Sequence, residues 1–125
     1  MNSRAKALLA AEAAEDKRAR DVVVLDVSAV TLVSDYFVIC SGTSRVQIKA
    51  IADGVREKMA ERGVKLHHQE GYDTATWILL DYGDVVVHVF NEHEREFYDL
   101  ERLWGDAPEL VRETSDWGNN SAALT

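Results

Sequence analysis

The chain has 125 residues, 46% hydrophobic and 29% charged, with seven Gly and a single Pro, a composition that fits one globular domain and excludes a disordered or fibrous chain. No apolar run approaches the roughly 20 residues of a membrane span, and Glu12, Glu15 and Asp16 break up the N-terminal alanines, which speaks against a secretory signal. The net charge of -8 is uneven: 11 basic against 9 acidic residues through Lys65, then 3 against 13 from Leu66 onward, a balance that suits a basic protein partner and not direct DNA binding.

Residues 1–20 are rich in Ala, Leu, Lys, Arg and Glu without Gly or Pro, which predicts a helix ending at Asp21. Val22 to Val27 is β-branched and predicts a strand, and a connection follows around Ser28 to Asp35. Tyr36 to Cys40, apolar throughout, predicts a central strand. Cys40 is the lone cysteine, so no internal disulfide forms; a buried structural thiol in a reducing, cytoplasmic compartment is expected. Ser41-Gly-Thr-Ser44 turns the chain into a helix, with Ser44 and Gln47 at capping-box spacing. Ile48, Ile51, Ala52, Val55 and Met59 share one face of that helix, and Gly63 ends it.

Val64 to Glu70 is expected to form a third strand, and Gly71 to Thr74 a loop. Trp77 to Phe90, WILLDYGDVVVHVF, reads as two strands joined at Gly83-Asp84. Asn91 and Glu94 repeat the cap spacing and predict a helix over 92–104, anchored by Phe97, Leu100 and Trp104. Residues 105–125 lose periodicity and are expected to be a partly mobile tail holding Trp117. The element order predicts a mixed α/β (α+β) domain over 1–104, built on a single five-stranded mixed sheet with helices.

A two-residue turn pairs Tyr82 with Val85, Leu80 with Val87 and Ile78 with Val89 on a core face. The opposite face sets Asp81 against Val86, Leu79 against His88 and Trp77 against Phe90. That face is too apolar for water and too polar for a dry core, so either the C-terminal helix covers it or a partner does. Aromatics mixed with isolated polar groups favour the partner.

Signals for enzymatic chemistry are weaker. The Ser41 to Ser44 turn offers N–H groups to an anion but lacks the glycine patterns of phosphate-binding loops. The strand VKLHHQE carries no carboxylate pair for divalent metal. His67 and His68 point to opposite sides of a strand, and no clear third ligand lies near, so neither metal nor other cofactor is expected. Asp81 and Asp84 read as turn chemistry.

Ser34-Asp-Tyr-Phe-Val-Ile-Cys-Ser-Gly-Thr-Ser44, Gln47, Ala50 to Asp53, Trp77 to Asp81, Gly83 to Phe90, Arg95, Phe97-Tyr98, Leu100-Glu101 and Leu103-Trp104 together resemble the ribosomal silencing factor family, also called Iojap-like. The resemblance spans about residues 5–104 in order and omits the tail. It implies a non-catalytic protein with a fold related to nucleotidyltransferases but without their catalytic site. It further implies binding to the large ribosomal subunit through its fourteenth protein, which blocks joining of the small subunit and lowers translation when nutrients are scarce. On that basis Trp77, Leu79, Asp81, His88 and Phe90 are the expected docking face, with Glu92 and Arg95 at its rim. A large-subunit assembly factor and a nucleotide-binding or nucleotidyl-transferring enzyme stay open as alternatives, and the amphipathic hairpin makes a homodimer credible.

Overall fold

The computed structural model describes residues 1–105 and 107–112; Trp117 and the rest of the predicted tail beyond Arg112 lie outside the described residues. Ten elements follow in chain order: α1 (Ser3–Asp16), β1 (Arg20–Asp26), β2 (Tyr36–Gly42), α2 (Arg45–Glu61), β3 (His68–Glu70), β4 (Trp77–Asp81), β5 (Val85–Asn91), α3 (Glu92–Tyr98), α4 (Leu100–Leu103) and β6 (Glu109–Arg112). They build a mixed α+β domain around one sheet of order β3-β4-β5-β2-β1-β6. Only β2 and β5 run parallel, and the remaining pairs are antiparallel. The parallel pair sits at the centre and sends its two C-terminal ends into α2 and α3.

The capping logic holds at each long helix. Asn2 Oδ1 accepts from the Ala5 amide at 2.8 Å, and Ser44 Oγ from the Gln47 amide at 3.1 Å. The Gln47 side chain, however, accepts from the Thr43 amide and hydroxyl at 2.6 and 2.9 Å instead of reaching back to Ser44. The hairpin keeps the register its turn dictates: Trp77 opposes Phe90, Ile78 Val89, Leu79 His88, Leu80 Val87 and Asp81 Val86.

Three expectations change. The third strand shrinks to His68–Glu70 because Val64 donates back to the Met59 carbonyl at 2.9 Å, closing α2, while Val64 and Leu66 pack onto the helical-side core. The helix over 92–104 is broken at Asp99, whose φ of 47° and ψ of 52° are left-handed, a conformation Asp tolerates better than most residues. The break turns Leu100 and Trp104 onto the sheet and leaves Phe97, an expected anchor, 72% exposed.

The third change is a sixth strand. Glu109–Arg112 pairs with β1, with Val24 opposite Val111, and the Asp26 amide donates to the Pro108 carbonyl at 2.9 Å. Four residues are too few to show a strand period; the valine-rich edge of β1 recruits them through its own backbone groups.

Side chains alternate between two cores. Val22, Val24, Val38, Cys40, Ile78, Leu80, Val85, Val87 and Val89 lie beneath α1 and α2. Val23, Leu25, Val27, Ile39, Phe90 and Ala107 form a second, smaller core on the other face, packed by Phe37, Trp77, Leu100 and Trp104.

Gly71 sets the entry into β4. Its φ is +81°, its carbonyl accepts from the Ala75 amide at 2.9 Å, and a Cβ there would collide with the Trp77 carbonyl. Gly71→Ala is expected to lose about 2 kcal/mol or more of stability, read as a lower midpoint in urea unfolding followed by tryptophan fluorescence.

Candidate functional site

The smaller core ends outward in a chain of rings. Trp77, at the start of β4, stacks on Phe90 across the strand pair with centroids 4.8 Å apart and planes 27° apart. Tyr98 of α3 leans on Trp77 at 4.7 Å, and Phe97 meets Tyr98 edge-on at 5.1 Å. On the inner side His88 lies 5.1 Å from Phe37, which meets Trp104 edge-on at 5.6 Å. Four strands and both short helices contribute to this layer or to the core beneath it.

Burial divides the expected docking residues. Phe90 is 1% exposed and His88 5%, so neither presents a surface: Trp77 covers the first, and Trp77 with Phe37 flanks the second. Trp77, Leu79 and Asp81 are half-buried, and Glu92 is exposed in the first turn of α3. The outermost apolar surface comes from residues that strand periodicity does not reveal: Phe97, Tyr98 and Leu103, the last 70% exposed. Helical spacing could have flagged Leu103, but Phe97 was misplaced because the break at Asp99 is not written in the pattern.

Arg95 is buried, not at the rim. Its Nε donates to Glu101 Oε1 at 2.8 Å, and its Nη1 donates to Ser41 Oγ at 2.9 Å and to the Arg20 carbonyl at 3.5 Å. One guanidinium thus joins α3, α4, β2 and β1, using the fork of donors that only Arg offers. It is a positioning residue for the aromatic cap.

His88 is held neutral. Trp77 Nε1–H donates to its Nδ1 at 3.1 Å, which places the proton on Nε2, and that atom is buried without a hydrogen-bond partner among the described residues. Burial lowers the imidazole to about 4. Protonation would also turn Nδ1 into a donor and break the tie to Trp77.

The remaining chemistry-bearing residues stay apart. Asp81 Oδ1 accepts from the Gly83 amide at 2.7 Å and shapes the turn as expected, whereas the Asp84 carboxylate pairs with Lys6 of α1 at 3.1 Å and ties the turn to that helix. In the Ser41 to Ser44 turn the Thr43 amide and hydroxyl donate to Gln47, and Ser41 Oγ accepts from Arg95, so the Thr43 donors an anion would meet are engaged within the chain. Burial pushes the Cys40 thiol up to about 12, which leaves it a core side chain. Among the described residues no group of three or more His, Cys, Asp or Glu is placed to hold a metal ion.

Comparison with known proteins gives a consistent result. The family model described as "Ribosomal silencing factor during starvation" matches residues 1–124. The chain is 49% identical over 108 residues to ribosomal silencing factor RsfS of Bacillus subtilis, covering 86% of this chain and 92% of that protein. It is 35% identical over 100 residues to the chloroplastic protein Iojap of Arabidopsis thaliana, covering 80% of this chain and 42% of that one. A crystal structure of a protein from Chromobacterium violaceum superposes with a TM-score of 0.82 at 40% identity, over 84% of this chain and 88% of that one.

Two measurements test the architecture of this layer. Arg95→Met, similar in volume, strips Glu101 and Ser41 of their shared partner and is expected to lose about 2–3 kcal/mol in urea unfolding. An unfolded histidine titrates near 6.5, so the unfolded chain takes up the His88 proton first. His88's contribution is therefore complete above about pH 6.5, declines as pH falls toward about 4 and levels off below, a loss of about 3 kcal/mol. His88→Phe should flatten that slope relative to the native chain.

Proposed function

Because the chain belongs to the ribosomal silencing factor family, we propose that it represses translation by docking on the large ribosomal subunit through that subunit's fourteenth protein and excluding the small subunit by its bulk. The observation that carries this reading is the incomplete cover, among the described residues, over the smaller core. Phe97 and Tyr98 continue outward from half-buried Trp77, whose strand face also carries half-buried Leu79, and Leu103 of α4 is exposed as well. Such an apolar centre gives a partner desolvated anchor area, and Trp and Tyr are the residues that concentrate binding energy.

Charge supports a basic partner. Helix α3 carries Glu92, Glu94 and Glu96, while its Arg95 is turned inward onto Glu101. The surface around the rings is thus acidic, which favours encounter with Lys- and Arg-rich protein and fixes register more than it adds affinity. Asp81, half-buried beside the patch, is the candidate to meet one such cation. Phe90 and His88 act from beneath, holding Trp77 at the angle the partner meets.

Steric exclusion needs no reaction at the site. A patch of roughly 800 Å² per partner is enough for stable occupancy, and a regulatory role agrees with the family to which the chain belongs. No helix among the described residues is long and apolar enough to cross a membrane, and we place the protein with the ribosomes of the cytoplasm.

The decisive experiment measures affinity for the isolated ribosomal protein. Trp77→Ala and Phe97→Ala are each expected to weaken binding by about 2 kcal/mol, roughly 30-fold, and Asp81→Arg chiefly to slow association. Unchanged binding by all three folded variants rules the surface out.

A further inference from the structure

The opposite side of the molecule, where α1 and α2 cover the sheet, carries two adjoining grooves that docking does not use. The first, about 280 Å³, is lined by Lys6 of α1, Arg62 at the end of α2, Lys65 and His67 of the segment leading to β3, and Tyr82. The second, about 400 Å³, is lined by Ala60, Val64, Leu66 and Tyr82, with Arg56, Asp53 and Glu57 also at its walls. Val64 and Tyr82 belong to both.

The first groove gathers positive charge in a chain whose net charge is -8. Arg62, Lys65 and His67 come from the one non-helical stretch that follows α2, and Lys6 joins them from α1, which is not the regular spacing of a solvated helix face. Asp84 engages Lys6 at 3.1 Å, while Arg62, Lys65 and His67 are exposed to the opening. A helix C-terminus by itself repels anions. Here the Arg62, Gly63 and Val64 amides cap the Met59 and Ala60 carbonyls at 2.9–3.1 Å, so the negative end of α2 is blunted. His67 is seated against the turn, where a Cβ on Gly83 would lie 2.9 Å from its ring.

Tyr82 supplies the second observation. Its side chain is 3% exposed, and its hydroxyl is buried without a hydrogen-bond partner among the described residues. Burial raises the phenol to about 12, so it keeps its proton as a donor. A buried hydroxyl bordering a basic groove and left without an acceptor is unusual in a folded protein.

We propose that these grooves form a binding site for a phosphoryl-bearing small molecule. Arg62, Lys65 and His67 take the phosphoryl oxygens, the guanidinium fork matching two of them at once. Tyr82 stands where the two grooves meet, and the surface of Ala60, Val64 and Leu66 gives room for an apolar or planar body attached to the phosphate. The site is remote from the ring layer, and its existence does not depend on the docking reading.

The test titrates the full chain at low salt with pyrophosphate, a nucleoside diphosphate and the uncharged nucleoside, following backbone amides by NMR. Saturable shifts at residues 62–67 and 82–84 are expected with both phosphorylated probes and not with the nucleoside. Tighter binding of the nucleoside diphosphate identifies a phosphate with an attached body as the ligand, equal affinities identify free phosphate, and either supports the site. Arg62→Glu combined with Lys65→Glu, both exposed positions, should weaken binding by about tenfold or more. The proposal is overturned by no saturation up to about 10 mM, by shifts confined to other residues, by undiminished affinity in the double variant, or by preference for an RNA oligomer over both small probes.

Discussion

A sheet that is apolar on both faces has to be covered twice, and the remainder of this molecule follows from that constraint. Strand β5 is buried from Val85 to Phe90 without interruption, so water is excluded from either side of it. On one face the two long helices α1 and α2 provide ample cover, and the alanines of α1 let it approach closely. Among the described residues the other face receives α3, α4 and the turn that leads to β6. Eleven helical residues in two pieces leave part of that side open among the described residues, and the open part is the aromatic surface of Phe97 and Tyr98.

The short cover stays in place through specific contacts rather than area. Arg95 reaches three backbone segments from one side chain, and Trp77 bridges ring stacking and a hydrogen bond to His88. Both devices put polar groups into a nearly dry layer, where an interaction is strong if satisfied and costly if broken. His88 illustrates the second half: it is retained neutral, with one nitrogen bonded and the other without a partner among the described residues. Such a layer defines one arrangement of its outer rings, which is what recognition of a rigid partner requires.

The same economy explains the end of the sheet where a phosphate-binding turn was conceivable. The parallel β2–β5 pair brings the starts of α2 and α3 side by side. The Gln47 and Glu94 amides donate to the caps Ser44 and Asn91, the Thr43 amide donates to Gln47, and Arg95 donates to Ser41. The Ser41 to Ser44 turn serves as a joint between the cap and the helical layer.

Local pattern determined much of this protein. The period of two in the hairpin fixed its register and both of its faces; cap spacings located the starts of α2 and α3; and the quoted motifs pointed to the family. What the pattern left out depends on contacts distant in sequence. Strand β6 exists because β1 has an edge to fill, the break at Asp99 because Leu100 and Trp104 must reach the sheet, and the burial of Arg95 because Ser41 and Glu101 converge on it. Periodicity states which residues avoid water, but not which of them the chain itself can cover, and that remainder, Phe97 and Tyr98 above Trp77, was decided only when the short helices were set against the sheet.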